Sequence, residues 1–216
     1  SVEELYALHA ELVEKTNAVR QQLTTEDKDG IYCLSVSTKE LARLSDDAFD
    51  CLALEHDIFH GNYPKPKRIL FSAQMSRTEL TGVYVPFTME ANVNIATPHY
   101  SIASTMCHEL AHTKGFIYED EANFISYLAC IHSEDKLFQY SGYLSVLNYL
   151  DKAYYEAVDG NKELDAFPVS EEQQIYPFMR KIQKIIDECY QKAKTIIAEN
   201  EGLVTLLSDA LIQHET

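Results

Sequence analysis

The stretch TPHYSIASTMCHELAHTKG, residues 97–115, carries His108-Glu109-Leu110-Ala111-His112. On an α-helix, residues four apart lie one above the other, so His108 and His112 can grip one metal ion from the same face. Glu109 points about 100° away from His108. That offset suits a carboxylate that works on water activated by the ion and does not bind the ion itself. Thr97 reads as an N-cap, Pro98 as the first helical residue and Gly115 as the residue past the helix end. Between them, Ile102, Ala103, Met106, Cys107, Leu110 and Ala111 give an apolar body. A helix of that kind is buried, and its imidazoles need partners.

Zinc in a catalytic site takes three protein ligands and keeps a fourth position for water, so a third ligand is expected nearby. Tyr118-Glu119-Asp120-Glu121-Ala122-Asn123 opens a second helix that continues through Phe124, Ile125, Tyr127, Leu128 and Ile131. Its acidic first turn also suits the positive end of the helix dipole without any metal. Glu119 shares a face with Ala122, Asn123, Ser126 and Cys130, small residues that let this helix lie close against the histidine helix. Glu121 aligns with Phe124, Ile125 and Leu128 and stays open as the alternative ligand. Asn123, one turn after Glu119, can reach a histidine ring nitrogen and fix its orientation.

Further from the motif, capping-box spacings at Ser1/Glu4, Ser37/Glu40 and Ser170/Gln173 predict helices over 2–24, 38–59 and 171–198. In the first, Leu5, Leu8, Leu12, Val19 and Leu23 form the apolar stripe. Asn62 to Lys67 is a proline-punctuated loop, and residues 68–72, 81–87 and 91–95 read as short strands, with Pro86 at an edge or end. The segment Ala91 to Ile95, which leads into the histidine helix, is the candidate edge strand for holding an extended substrate. A helix over about 134–158 carries Tyr140, Tyr143, Tyr149, Tyr154 and Tyr155. Tyr140, Tyr143 and His132 are candidates to steady the oxyanion of a tetrahedral intermediate. The expected architecture is α+β, mainly helical, with a small sheet packed against the histidine helix. Residues 1–216 are expected to form a single domain.

Two other metal patterns are weaker. His56 and His60 are four apart but lack a glutamate after the first histidine, and solvated imidazoles at a helix end account for them. A third-histidine pattern would place its ligand at Tyr118, whose phenol is a poor zinc ligand at neutral pH. Cys33, Cys51, Cys107, Cys130 and Cys189 are odd in number and show no C-x-x-C spacing. Cys107 and Cys130 sit on helices predicted to meet and read as buried thiols packed as small apolar groups.

The E-x-x-x-[DN] arrangement after H-E-x-x-H resembles the gluzincin pattern of thermolysin, the CAAX prenyl proteases and the ImmA/IrrE peptidases. More closely, several runs resemble the bacterial domain of unknown function 3810 family over roughly residues 60 to 150. They include Pro64-Lys65-Pro66-Lys67, Thr81-Gly82-Val83-Tyr84, Pro86-Phe87-Thr88, Glu90-Ala91-Asn92-Val93-Asn94, the histidine motif itself and Tyr140-Ser141-Gly142-Tyr143. The resemblance implies a zincin-like fold and a zinc peptidase chemistry, tethered to a membrane through hydrophobic spans. It implies no substrate. Only six residues separate His112 from Glu119, far fewer than in thermolysin, and residues 201–216 fit the family pattern poorly.

Composition narrows the partners. The chain has 18 Lys and Arg against 34 Asp and Glu, a net charge of −16, which argues against nucleic acid and anionic lipid surfaces. No apolar run approaches the ~20 residues needed to cross a bilayer. The start at Ser1 suggests a soluble portion of a longer, membrane-anchored protein, with the domain outside the cytoplasm. The expected cofactor is Zn2+ and the expected partner a peptide or protein substrate. His108, His112 and Glu119 would hold the ion, and Glu109 would act as general base in peptide bond hydrolysis. The competing expectation is a catalytically silent, metal-containing recognition or sensor domain.

Overall fold

The computed structural model describes residues 2–23 and 32–157. These belong to a compact unit spanning Ser1–Ile175. The helix expected over 171–198, the side chains of Tyr154 and Tyr155, Cys189 and residues 201–216 lie outside the described residues.

Among the described residues, six α-helices of differing length and three short strands follow in chain order. They are α1 (Val2–Arg20), α2 (Thr38–Ala53), β1 (Lys67–Arg68), α3 (Ser72–Met75), β2 (Gly82–Val85), β3 (Glu90–Val93), α4 (Ile102–Thr113), α5 (Glu119–His132) and α6 (Lys136–Ala157). The architecture is therefore α+β and mainly helical, with the small sheet packed against α4. Helix α4 is the centre of the core: Ala103, Met106, Cys107, Leu110 and Ala111 are fully buried. Burying a side chain such as Leu110 or Met106 contributes about 1.5–3 kcal/mol each, so the apolar face of the histidine helix is held firmly in the core. No described helix is long and apolar enough to cross a membrane.

Helix starts and stops follow local chemistry. Ser37 caps α2 by accepting the Glu40 N–H through its hydroxyl at 3.2 Å. The apolar face of α2 ends with Leu52 and Ala53, and Leu54 is exposed, so the helix stops there and not at residue 59. A separate 3₁₀ turn, Asp57–Phe59, follows, and His56 and His60 are exposed around it. Helix α4 begins later than Thr97-Pro98 suggested, because a 3₁₀ turn over His99–Ser101 precedes its regular part. In α1 the buried stripe is His9, Leu12, Val13, Thr16 and Val19, whereas Leu8 is half exposed. The inward face is thus turned by one residue from the leucine stripe, toward His9, which meets Asp151 of α6 at 3.0 Å.

Two strand expectations are corrected. Residues 70–72 leave the sheet: Ser72 donates its hydroxyl to the Ile69 carbonyl at 2.6 Å and accepts the Ile95 N–H at 3.1 Å, which ends the pairing and starts α3. The strand order is β1-β3-β2, with β1 parallel and β2 antiparallel to β3. The segment expected to be an edge strand, Ala91 to Ile95, therefore lies at the centre of the sheet. Its alternation sets the face it packs: Ala91 and Val93 are buried against α4 while Glu90 and Asn92 are only half-buried. The edge that approaches the histidine helix belongs to β2, whose register pairs Gly82 with Val93 and Tyr84 with Ala91.

Candidate metal centre

His108 and His112 project from the last two turns of α4, and Glu119 stands at the first residue of α5. The two Nε2 atoms are 3.0 Å apart, and Glu119 brings one carboxylate oxygen to 3.2 Å from His108 Nε2 and the other to 3.6 Å from His112 Nε2. Ligands at zinc bond lengths of about 2.0–2.2 Å in a tetrahedron lie about 3.3–3.6 Å from one another. The three distances, two of them to different Glu119 oxygens, lie at or just below that range, and two imidazole nitrogens with one carboxylate are a donor set that suits zinc. Among the described residues, these three side chains are the group of His, Cys, Asp and Glu close enough to hold an ion. Glu121 is exposed further along α5 and takes no part in the cluster.

The turn after α4 sets the histidine tautomer. Gly115 adopts φ +101°, a conformation that glycine takes without steric cost and that reverses the chain at a helix end. The reversal brings the Phe116 carbonyl to 2.7 Å from His112 Nδ1. Nδ1–H donates to that carbonyl, so Nε2 is left with its lone pair aimed at the cluster. Burial first, and then the neighbouring His112, push the His108 imidazole below its usual range, against the pull of Glu119. His108 is thereby favoured in the neutral, ligating form. Asn123, one turn after Glu119, lies beside the His108 ring and lines the same cavity, where an amide could hold a metal-binding imidazole at its angle. Asn123→Ala is expected to weaken zinc affinity by about 10–100-fold. Competition against a chelator would measure this, and an unchanged affinity would remove Asn123 from the site.

Glu109 lies beneath β2. Its side chain is almost fully buried, and Oε2 has no hydrogen-bond partner. Burial, with a smaller contribution from the Glu119 charge, raises its carboxyl to about 8. A buried carboxyl left unsatisfied beside a cluster of metal-type donors is a group kept for a task other than packing. A cation in the cluster would draw its proton affinity down again. Tyr84 of β2 stacks on the His112 ring at 5.9 Å between centroids, so the strand braces the second imidazole while leaving Glu109 covered.

The oxyanion candidates fall elsewhere. Tyr140 is buried edge to face with Tyr32 at 5.8 Å. Tyr143 sits by Tyr127 and Lys15, outside the cavity lining. His132 bonds to the Leu128 carbonyl at 2.7 Å and faces Glu55 at 3.3 Å. The tyrosine of α6 that does approach the cluster is Tyr149, whose phenol is raised by burial and by the Glu119 charge. Nothing in the sequence separated it from the other α6 tyrosines. Gly82 did carry a signal, because glycine inside a strand marks a close approach. Cys107 and Cys130 meet as fully buried thiols between α4 and α5, as small apolar groups do.

A family profile described as protein of unknown function (DUF3810) matches residues 1–201, and the chain belongs to that family. The ATP-dependent zinc metalloprotease FtsH 2 of Phytoplasma mali (strain AT) is 34% identical over 73 residues, which are 34% of this chain and 9% of that protein. The chain thus spans a small part of that relative's length. No solved structure matches.

Proposed function

We propose, taking membership of that family as the premise, that this chain is a zinc-dependent peptidase of zincin-like build. The observation that carries the reading is the convergence of His108, His112 and Glu119 around one point, beside a buried and unpartnered Glu109. Partial similarity to a protein named as a zinc metalloprotease supports it. When bound, zinc would lower the proton affinity of a coordinated water toward pH 7 and polarise the scissile carbonyl.

The chain's own residues do the rest. Glu109, held under β2, accepts the proton from the attacking water and returns it to the leaving amine. Phe116 and Asn123 hold the two imidazoles in ligating orientation. Tyr149, which lines the same cavity as His108 and Glu119, is assigned to donate to a developing oxyanion, in place of Tyr140 and Tyr143. The edge of β2 that does not pair with β3 offers backbone groups to an extended peptide, the role once expected of the Ala91 segment. Anchoring to a membrane and an extracytoplasmic position belong to this proposal only through the family resemblance.

The test joins metal analysis to digestion of an unbiased peptide library. The expected result is one zinc per chain and cleavage products, with both lost on His112→Ala. A chain that binds no zinc, or that binds zinc and leaves every peptide intact, would end the peptidase reading.

A further inference from the structure

A cavity of about 590 Å³ opens beside His108 and Glu119 and runs between α4, α5 and α6. That volume lies within the range of about 300–1,000 Å³ typical of ligand sites. Seven serine and threonine side chains line it, and five of them already spend their hydroxyl proton on a main-chain carbonyl. Ser101 donates to Pro98, Ser104 and Thr105 to Ser101, Ser126 to Ser104, and Ser145 to Gly142, at 2.6–3.0 Å. A hydroxyl that has given its proton away presents lone pairs to the space beside it. Five of the seven hydroxyls therefore offer acceptors, while Thr81, Ser141 and the amides of Asn123 and Asn148 can also donate.

The remaining walls point the same way. Tyr100, Phe124, Tyr127 and Tyr149 supply aromatic surface, Asp120 adds an exposed carboxylate beyond Glu119, whose charge the metal would take up, and no lysine or arginine is among the lining residues. Aromatic faces and the Asp120 carboxylate attract a cation, and hydroxyl acceptors satisfy its N–H groups. An acidic side chain would meet like charge at Asp120.

We propose that this cavity is the specificity pocket of the site and receives a lysine or arginine side chain of the substrate next to the bond to be cut. This rests on the peptidase reading for its meaning in catalysis, while the cation preference rests on the lining alone. The strongly acidic chain, at −16 overall, would also draw basic segments toward it.

The test uses the full chain carrying Glu109→Gln, with and without zinc, and short fluorescent peptides that differ only by one Lys, Met or Glu. The Lys peptide should bind about 100-fold more tightly than the Glu peptide, and adding Asp120→Lys should remove about 10-fold of that difference. Asp120 is exposed, so the charge swap leaves the core intact. Equal affinity for the three peptides, or a preference untouched by Asp120→Lys, would overturn the pocket assignment. Library digestion by the unsubstituted chain separates the two claims. Cleavage without enrichment of Lys or Arg beside the cut sinks the pocket and keeps the peptidase. Selective binding of the Lys peptide without any cleavage keeps the pocket and sinks the peptidase.

Discussion

Replacing Glu109 with Gln is expected to lower turnover by about 10²–10⁴-fold while zinc content stays at the parent level. The amide keeps the shape and burial of the carboxylate but cannot accept a proton from water. Glu109 lies outside the triangle of His108, His112 and Glu119, so its replacement leaves the donor set complete. Stability should change by no more than about 1–3 kcal/mol, since Oε2 makes no hydrogen bond that the substitution could break. Turnover on peptides from the library digest, set against metal content by mass spectrometry, gives both numbers. Full turnover by Glu109→Gln would refute the general-base role. The competing sensor reading expects a different pattern: zinc in both proteins and cleavage by neither.

The parts of the site that could be read from the sequence are those fixed by local geometry. Two histidines four apart must share a helix face, and a six-residue connection cannot carry α5 far from α4, so the meeting of His108, His112 and Glu119 was legible. Helix phase favoured Glu119 and left Glu121 open: Ala122, Ser126 and Cys130, which share the Glu119 face, are buried, but so is Ile125 on the Glu121 side. It is the cluster with His108 and His112 that includes Glu119 and leaves Glu121 out. Ser126 reaches the Ser104 carbonyl at 2.6 Å, and that contact sets the two helices close enough for the cluster to form.

What could not be read depends on contacts between distant segments. Whether a four-residue strand is central or at an edge is decided by its neighbours, and the arrival of Lys67–Arg68 beside β3 made the Ala91 segment central. The rotation of α6 about its own axis is likewise set by its partners. Tyr32, far away in sequence, takes Tyr140 into the core, and Tyr149 is left at the cavity. The hydroxyl-lined cavity itself arises from three helices, none of whose sequences marks it alone.

Gly82→Ala is expected to cost about 10²-fold in turnover with no loss of zinc. A Cβ at this position would lie 2.2 Å from Glu109 Oε1, 2.7 Å from Cδ and 2.8 Å from Cγ, closer than nonbonded atoms tolerate. Those atoms are the end of a flexible side chain, so the molecule can yield by turning Glu109 out of its place without separating β2 from α4. The loss then falls on catalysis more than on the fold, where overpacking sets an upper range of about 1–3 kcal/mol. A displacement of about 1 Å in a catalytic group can cost about 10²-fold. Coupling identifies the cause. In a chain that already carries Glu109→Gln, Gly82→Ala should reduce turnover little further, since residues acting as one unit are not additive. Independent, multiplying losses would mean that Gly82 serves the substrate strand and not the carboxylate beneath it, and parent-level turnover by Gly82→Ala would show that Glu109 does not work from the position it holds under β2.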